Sequence, residues 1–192
     1  MKIMLCLLLA AVAGQAKKAK DPVVVVTTNM GVIKLQLDPE HAPLSTANFL
    51  QYVKEKHYDN MVFHRVIKGF MIQTGGFDQK LHQVGPGHPA IKNEAGNGLK
   101  NVAGTLAMAR TNVVDSANDQ FFINVAGNSF LDHRDETPAG FGYAVFGKVI
   151  AGMDVVRLIE SVPTDNKPAA DGTPMGDVPV KEMLIKTVRL AK

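Results

Sequence analysis

The sequence predicts a mainly β protein, an antiparallel sheet closed into a barrel or sandwich and accompanied by two helices. Short β-branched runs with inward-outward alternation recur along the chain, and only two segments carry a helical apolar stripe. Strands and helices do not alternate as a βαβ unit requires, which argues against a parallel sheet. At 192 residues with 46% hydrophobic content, the chain can bury one sizeable core but is too short for two full domains.

In order, Val23 to Thr28 is β-branched, Asn29-Met30-Gly31 supplies turn residues, and Val32 to Leu37 alternates; together they predict a hairpin. Pro43 opens a helix running to about Lys56, with Leu44, Ala47, Leu50 and Val53 as its apolar stripe. Met61 to Ile67 returns to strand character, and Phe70 to Gln73 continues it beyond Gly69. From Thr74 to Gly104 the chain is rich in Gly, Pro, Asn and His without a sustained period, so a long surface excursion is expected. Strand pieces resume at Thr105 to Ala109, Gln120 to Val125 and Tyr143 to Val149. A second helix fits Met153 to Glu160, with Val155, Val156 and Ile159 on its apolar face and Pro163 just beyond. Pro163 to Pro179 is expected as a polar loop, and Met183 to Leu190 as a closing strand.

The first sixteen residues differ from the rest. Lys2 precedes an apolar stretch from Ile3 to Val12 that ends in small residues, the pattern of a signal peptide cleaved after Ala13 or Ala16. Its apolar run of about ten residues is well short of the ~20 that span a bilayer, so no stable membrane anchor is expected. Residues 17–22 are a basic linker, and residues 23–190 are expected to form one domain. Such a chain is exported, and periplasmic if its source is a Gram-negative bacterium. The single cysteine, Cys6, lies inside the leader, so the mature chain has no thiol for a disulfide, a metal site or a nucleophile.

The net charge of +3 is spread along the chain rather than gathered in a stripe, which argues against nucleic acid as a ligand. Six histidines show no zinc-type spacing, and no metal is expected. No Gly-x-Ser-x-Gly elbow supports a hydrolase, and Gly85-Pro86-Gly87 and Gly140-Phe141-Gly142 lack the helix that a nucleotide loop needs.

The chemistry concentrates around Arg65. On a strand, Phe63, Arg65 and Ile67 share one face, with His64 and Val66 on the other. An unpaired buried guanidinium is costly, so Arg65 has a carboxylate partner or stands at the mouth of a ligand groove; an exposed strand arginine is the plainer alternative. Five runs occur in order: Phe63 to Gln73, Gly104 to Ala109, Ser116 to Ile123, Phe130-Leu131-Asp132, and Val145 to Val149. In these runs the chain resembles the cyclophilin family, over about Val23 to Leu190, and looks most similar to its exported bacterial branch.

The resemblance implies an eight-stranded antiparallel β-barrel capped by two α-helices, a peptidyl-prolyl cis-trans isomerase that needs no cofactor and acts on proline-containing unfolded or extended polypeptides. It places the catalytic position at Arg65 with Gln73 beside it. Phe70, Met71, Phe122 and Leu131 would hold the proline ring, and Ala109, Arg110 and Gln120 would line the groove for preceding residues. Phe130 and Tyr143 would fill two further wall positions, while Phe121 points into the core. Phe130 stands where many relatives carry Trp and lacks the indole donor, so weaker cyclosporin binding is expected. Tyr143 stands in for a His and Arg110 for an Asn, and residues 132–140 form an enlarged loop at the groove's edge. The sequence carries no assembly motif, and a monomer is expected. A barrel that only binds proline segments as a chaperone or adaptor would have no need of Arg65, and an apolar-ligand carrier would need an empty interior.

Overall fold

The computed structural model describes residues 21–191, so the segment expected to be a signal peptide and most of the expected basic linker lie outside the described residues. β1 (Val23–Thr28) and β2 (Val32–Leu37) form the expected hairpin, with Val26 opposite Ile33. The alternation is realised as Val24, Val26, Ile33, Leu35 and Leu37 buried in the core.

α1 (Pro43–Lys54) keeps the C-terminal half of the expected stripe, with Val53 buried and Leu50 packed against the core, but turns Leu44 and Ala47 out to solvent. Leu44 is exposed, and the buried residues are Ser45, Thr46, Asn48, Phe49, Tyr52 and Val53. The apolar content of Phe49, Tyr52 and Val53 sets the rotation, and polar groups near the helix start are buried because they have partners. Asn48 donates to the Asn118 carbonyl, and Ser45 Oγ donates to Glu94 at 2.7 Å.

β3 (Arg65–Ile67) and β4 (Met71–Thr74) are separate strands in a tight hairpin rather than one continued strand. Gly69, at φ +74°, turns the chain between them in a conformation other residues rarely adopt. Residues 61–64 make only isolated bridges, so the strand begins later than expected. Phe63 is buried in the same core cluster as Val66, and the expected alternation of faces holds only from Arg65 onward.

β5 (Thr105–Met108), β6 (Phe121–Asn124), β7 (Val145–Ala151), α2 (Met153–Glu160) and β10 (Ile185–Leu190) follow the sequence reading closely. The segment expected as a polar loop instead contains a hairpin, β8 (Thr164–Pro168) and β9 (Pro174–Pro179). Exposed Thr, Asp and Asn in β8, with prolines in both strands, hid the strand signal.

Eight strands make one antiparallel sheet in the order β10-β1-β2-β7-β5-β6-β4-β3. Its two outer strands do not ladder together. The sheet curls until Val62 bridges Leu184, Phe63 N donates to the Met183 carbonyl at 2.9 Å, and Ile185 N donates to the Met61 carbonyl at 2.8 Å. The fold is therefore a strongly curled half-barrel with two helices, less fully closed than a laddered barrel. α1 packs against β10 and β7, and α2 against β2, β3 and β4. Phe49, Tyr58, Phe121 and Phe146 fill the interior, with Phe49 and Phe121 edge to face at 5.1 Å.

α1 has Ala42 at its N-cap and no side-chain cap of its own. Glu94, from the long excursion between β4 and β5, supplies one: its carboxylate accepts from Leu44 N at 2.9 Å and Ser45 N at 2.8 Å. A carboxylate there satisfies two orphan donors and complements the helix dipole. Glu94→Ala is expected to cost about 1–2 kcal/mol in urea-unfolding stability, whereas Glu94→Gln, which keeps an acceptor, loses less.

His64 is buried beneath Phe77, with ring centroids 4.8 Å apart. Burial, aided by the Arg65 charge, pulls its pKa down to about 4, and its Nδ1 has no partner among the described residues. The neutral ring is thus favoured when folded, while the unfolded chain takes up a proton below about pH 6.5. Its contribution is present above that value and is lost as pH falls towards about 4, on the order of 3 kcal/mol. Urea midpoints measured across that window should fall steeply for the natural chain and less steeply for His64→Phe.

Candidate active site

The sheet register builds the site. Arg65 lies opposite Gln73, Gln73 opposite Phe122, Phe122 opposite Ala107, and Ala107 opposite Val145, so one row crosses β3, β4, β6, β5 and β7 on the outer face. The next row inward in sequence, Val66, Ile72, Ile123 and Leu106, points to the opposite face and joins the core. Phe121 therefore packs inside against Phe49, while its neighbour Phe122 belongs to the outer cluster, as expected.

That outer cluster contains Met71, Ala107, Phe122, Leu131 and Val145, with Phe70 and Tyr143 among the partly buried residues against it. All four residues expected to grip a proline ring are thus together. Phe130 is 61% exposed and its ring lies 5.5 Å from Phe70, a bare aromatic wall at the edge. Tyr143 meets Phe122 edge to face at 5.8 Å.

Arg65 stands at the mouth of this patch and also has a carboxylate partner. Its Nε is 3.5 Å from Asp177 Oδ2, and both side chains are close to half exposed. Water screens such a pair, so it adds little to stability. Gln73 donates from Nε2 to Gln120 Oε1 at 2.9 Å, which fixes its amide beside Arg65 by a bond to β6's approach rather than to Arg65 itself. Gln73, Ala109, Arg110 and Gln120 line a cavity of about 140 Å³ together with Thr111, Ser116 and Asn118. A larger cavity of about 310 Å³, flanked by Lys100 and Lys148, contains none of the expected site residues.

Arg110 is not a free charge beside the groove. Nε donates to the Gly142 carbonyl at 2.8 Å, Nη1 to Thr111 at 2.9 Å and Nη2 to Pro138 at 2.8 Å, with the guanidinium 4.8 Å over the Tyr143 ring. It ties the enlarged loop to the groove wall and stacks over one face of Tyr143. Gly142, at φ +83°, allows the approach: a Cβ there would lie 2.6 Å from His133 N.

Sequence reasoning missed the supports. Asn128 Nδ2 donates to the Phe70 carbonyl at 2.9 Å and to Asn124 Oδ1 at 2.6 Å; Asn124 in turn donates to Asn101 and Thr105. Asn101 N and Nδ2 both donate to Asp132 Oδ1. This buried chain of amides connects the pocket wall at Phe70 to the segment carrying Leu131. Asparagines far apart in sequence carry no local signal of such a network. Among the described residues no group of three or more His, Cys, Asp or Glu side chains comes together as a metal site.

Comparison with known proteins agrees with this geometry. Residues 23–189 match the family model described as cyclophilin type peptidyl-prolyl cis-trans isomerase/CLD. The chain is 48% identical over 169 residues to peptidyl-prolyl cis-trans isomerase A of Dickeya dadantii, covering 88% of this chain and 84% of that one. It is 47% identical over 165 residues to peptidyl-prolyl cis-trans isomerase B of Escherichia coli, covering 86% and 97%. The crystal structure of a cyclophilin-type isomerase from Cryptosporidium parvum superposes with a TM-score of 0.72 at 26% identity, covering 90% of this chain and 98% of that one. A curled eight-stranded sheet with an apolar cluster and an arginine on one outer row, a family match across nearly the whole described chain and isomerase relatives at 47–48% identity place this protein in the cyclophilin-type peptidyl-prolyl cis-trans isomerase family.

Proposed function

We propose that this isomerase acts as a monomer on X-Pro bonds of exported polypeptides, with Arg65 as the group that lowers the barrier. The observation that carries the catalytic reading is the outer row itself, which sets a cation and an amide directly beside an apolar cluster that includes Phe122 and Met71. Export rests on the leader-like first sixteen residues.

Peptide rotation faces a barrier of ~18–20 kcal/mol because amide resonance must be broken. At X-Pro the end states differ by only about 0.5–1 kcal/mol, so the obstacle is kinetic. In the twisted transition state the nitrogen lone pair is no longer delocalised and accepts a hydrogen bond more strongly. A permanently charged donor aimed at it therefore stabilises the transition state more than either ground state. Arg65 supplies such a donor and cannot lose its proton here. Met71, Phe70, Phe122 and Leu131 hold the ring while the preceding carbonyl swings. Gln73, steadied by Gln120, is placed to hydrogen-bond substrate backbone, and the cavity of Ala109, Arg110 and Gln120 receives the residues before the proline.

Arg65→Ala should remain folded and lose about 10²–10³-fold in kcat/KM for a short X-Pro peptide, the loss typical of removing one transition-state donor. Wild-type turnover by that variant would refute the role. A chaperone that merely binds proline segments would show no such loss.

Cyclosporin should bind more weakly than to relatives with Trp at the Phe130 position, because phenyl keeps the wall but lacks the N–H donor. Titration calorimetry giving equal affinities would contradict this reading.

A further inference from the structure

We propose that Asp177, carried by the β8–β9 hairpin, is a positioning residue for Arg65: it holds the guanidinium through Nε so that the Nη edge is presented to the substrate amide. The proposal rests on the catalytic reading of Arg65.

β3 is the outer strand of the eight-stranded sheet, and β9 lies alongside it without laddering to it. The hairpin is pinned at several points. At its tip, Ala169 N donates to the Thr173 carbonyl at 2.8 Å and Ala170 N to the Leu81 carbonyl at 3.0 Å. At its base, Lys167 Nζ donates to the Pro179 and Val180 carbonyls, and Val178 is buried. Between these anchors Asp177 adopts φ +58°, a left-handed conformation that is uncommon for a residue with a side chain and best tolerated by Asp and Asn.

The strained residue is the one whose carboxylate reaches Arg65. The left-handed turn at Asp177 falls where the β8–β9 register shifts, between the Asp165–Val178 and Lys167–Met175 pairs, and this irregularity turns its carboxylate out of the ladder towards β3; the pair itself is too exposed to matter much for stability. Among the described residues, no hydrogen bond within the protein engages either Nη of Arg65. A guanidinium presents its five donors in a rigid planar fork. Holding it at Nε restricts the swing of a long side chain and leaves the two terminal donors aimed outward, and such orientation lowers a barrier without adding ground-state affinity.

The test compares Asp177→Asn, which removes the charge and tolerates the same backbone, with Asp177→Gly, which also relaxes the left-handed strain. Both should lower kcat by about three- to tenfold, equivalent to ~0.7–1.4 kcal/mol, with KM within about twofold. Asp177→Gly should melt no lower than the natural chain. The Arg65 Nε–H resonance should shift in both variants, which a purely structural role for Asp177 would not require. Unchanged kcat in both variants, while Arg65→Ala is strongly impaired, would overturn the positioning role alone. A fall in kcat that tracks a lowered melting temperature, with the Arg65 resonance unmoved, would overturn it as well. Undiminished turnover in Arg65→Ala would instead overturn the catalytic reading beneath it.

Discussion

The site depends on strands β4, β5 and β6 being covered on both faces, because only then can one side of the sheet be core and the other a pocket. In β6 all four residues, Phe121 to Asn124, are buried. Period-two alternation sends Phe121 and Ile123 inward and Phe122 outward, so a single strand serves both the core and the outer apolar cluster. A slip of one residue would exchange the two faces and destroy both together. The cross-strand pairs that stabilise the sheet are therefore the same pairs that set Arg65, Gln73 and Phe122 in a row.

An outer face of this kind has to be walled by segments that lack regular structure, and their backbone groups need partners. The long connections of this chain are stitched by borrowed side chains. Glu94 caps α1, Asn128 and Asn124 hold the Phe70 carbonyl and the floor beside it, and Arg110 ties residues 138 and 142 to the groove. Glu160 at the end of α2 accepts from Gly69 N at 2.7 Å, which fixes the β3–β4 turn next to Arg65. Burial pushes its carboxyl up, but hydrogen bonds from Arg157 and Gly69, together with the Arg157 and Lys68 charges, leave it lower than an ordinary Glu. A pocket built from loops thus inherits the rigidity of the sheet through charged and amide groups rather than through apolar packing alone.

Much of this was legible in the sequence, and the reasons for the failures are specific. The β1–β2 hairpin and α2 follow from local periodicity, and the outer and inner roles of Phe122 and Phe121 follow from alternation. At the start of α1 the apolar stripe fails at Leu44 and Ala47 because Ser45 and Asn48 are buried instead by partners at Glu94 and Asn118, which no local pattern reveals. β8 and β9 went unseen because their strands are largely exposed and interrupted by proline. For the same reason Asp177, which meets Arg65 only through that hairpin, could not be found from the motif around Arg65. The resemblance named residues that the sheet brings together on one outer face; the contacts that support them are long-range and had to be seen in three dimensions.

The central claim is that charge at Arg65, placed beside a ring-holding pocket, accelerates rotation after the peptide is bound. Its most direct test is cis-trans exchange of a saturating X-Pro peptide, measured by NMR exchange spectroscopy on Arg65→Gln, which keeps a planar polar head without the charge. The account predicts a peptide dissociation constant close to that of the natural enzyme and on-enzyme exchange slowed by about a hundredfold or more. Exchange at the natural rate in the bound complex would contradict it.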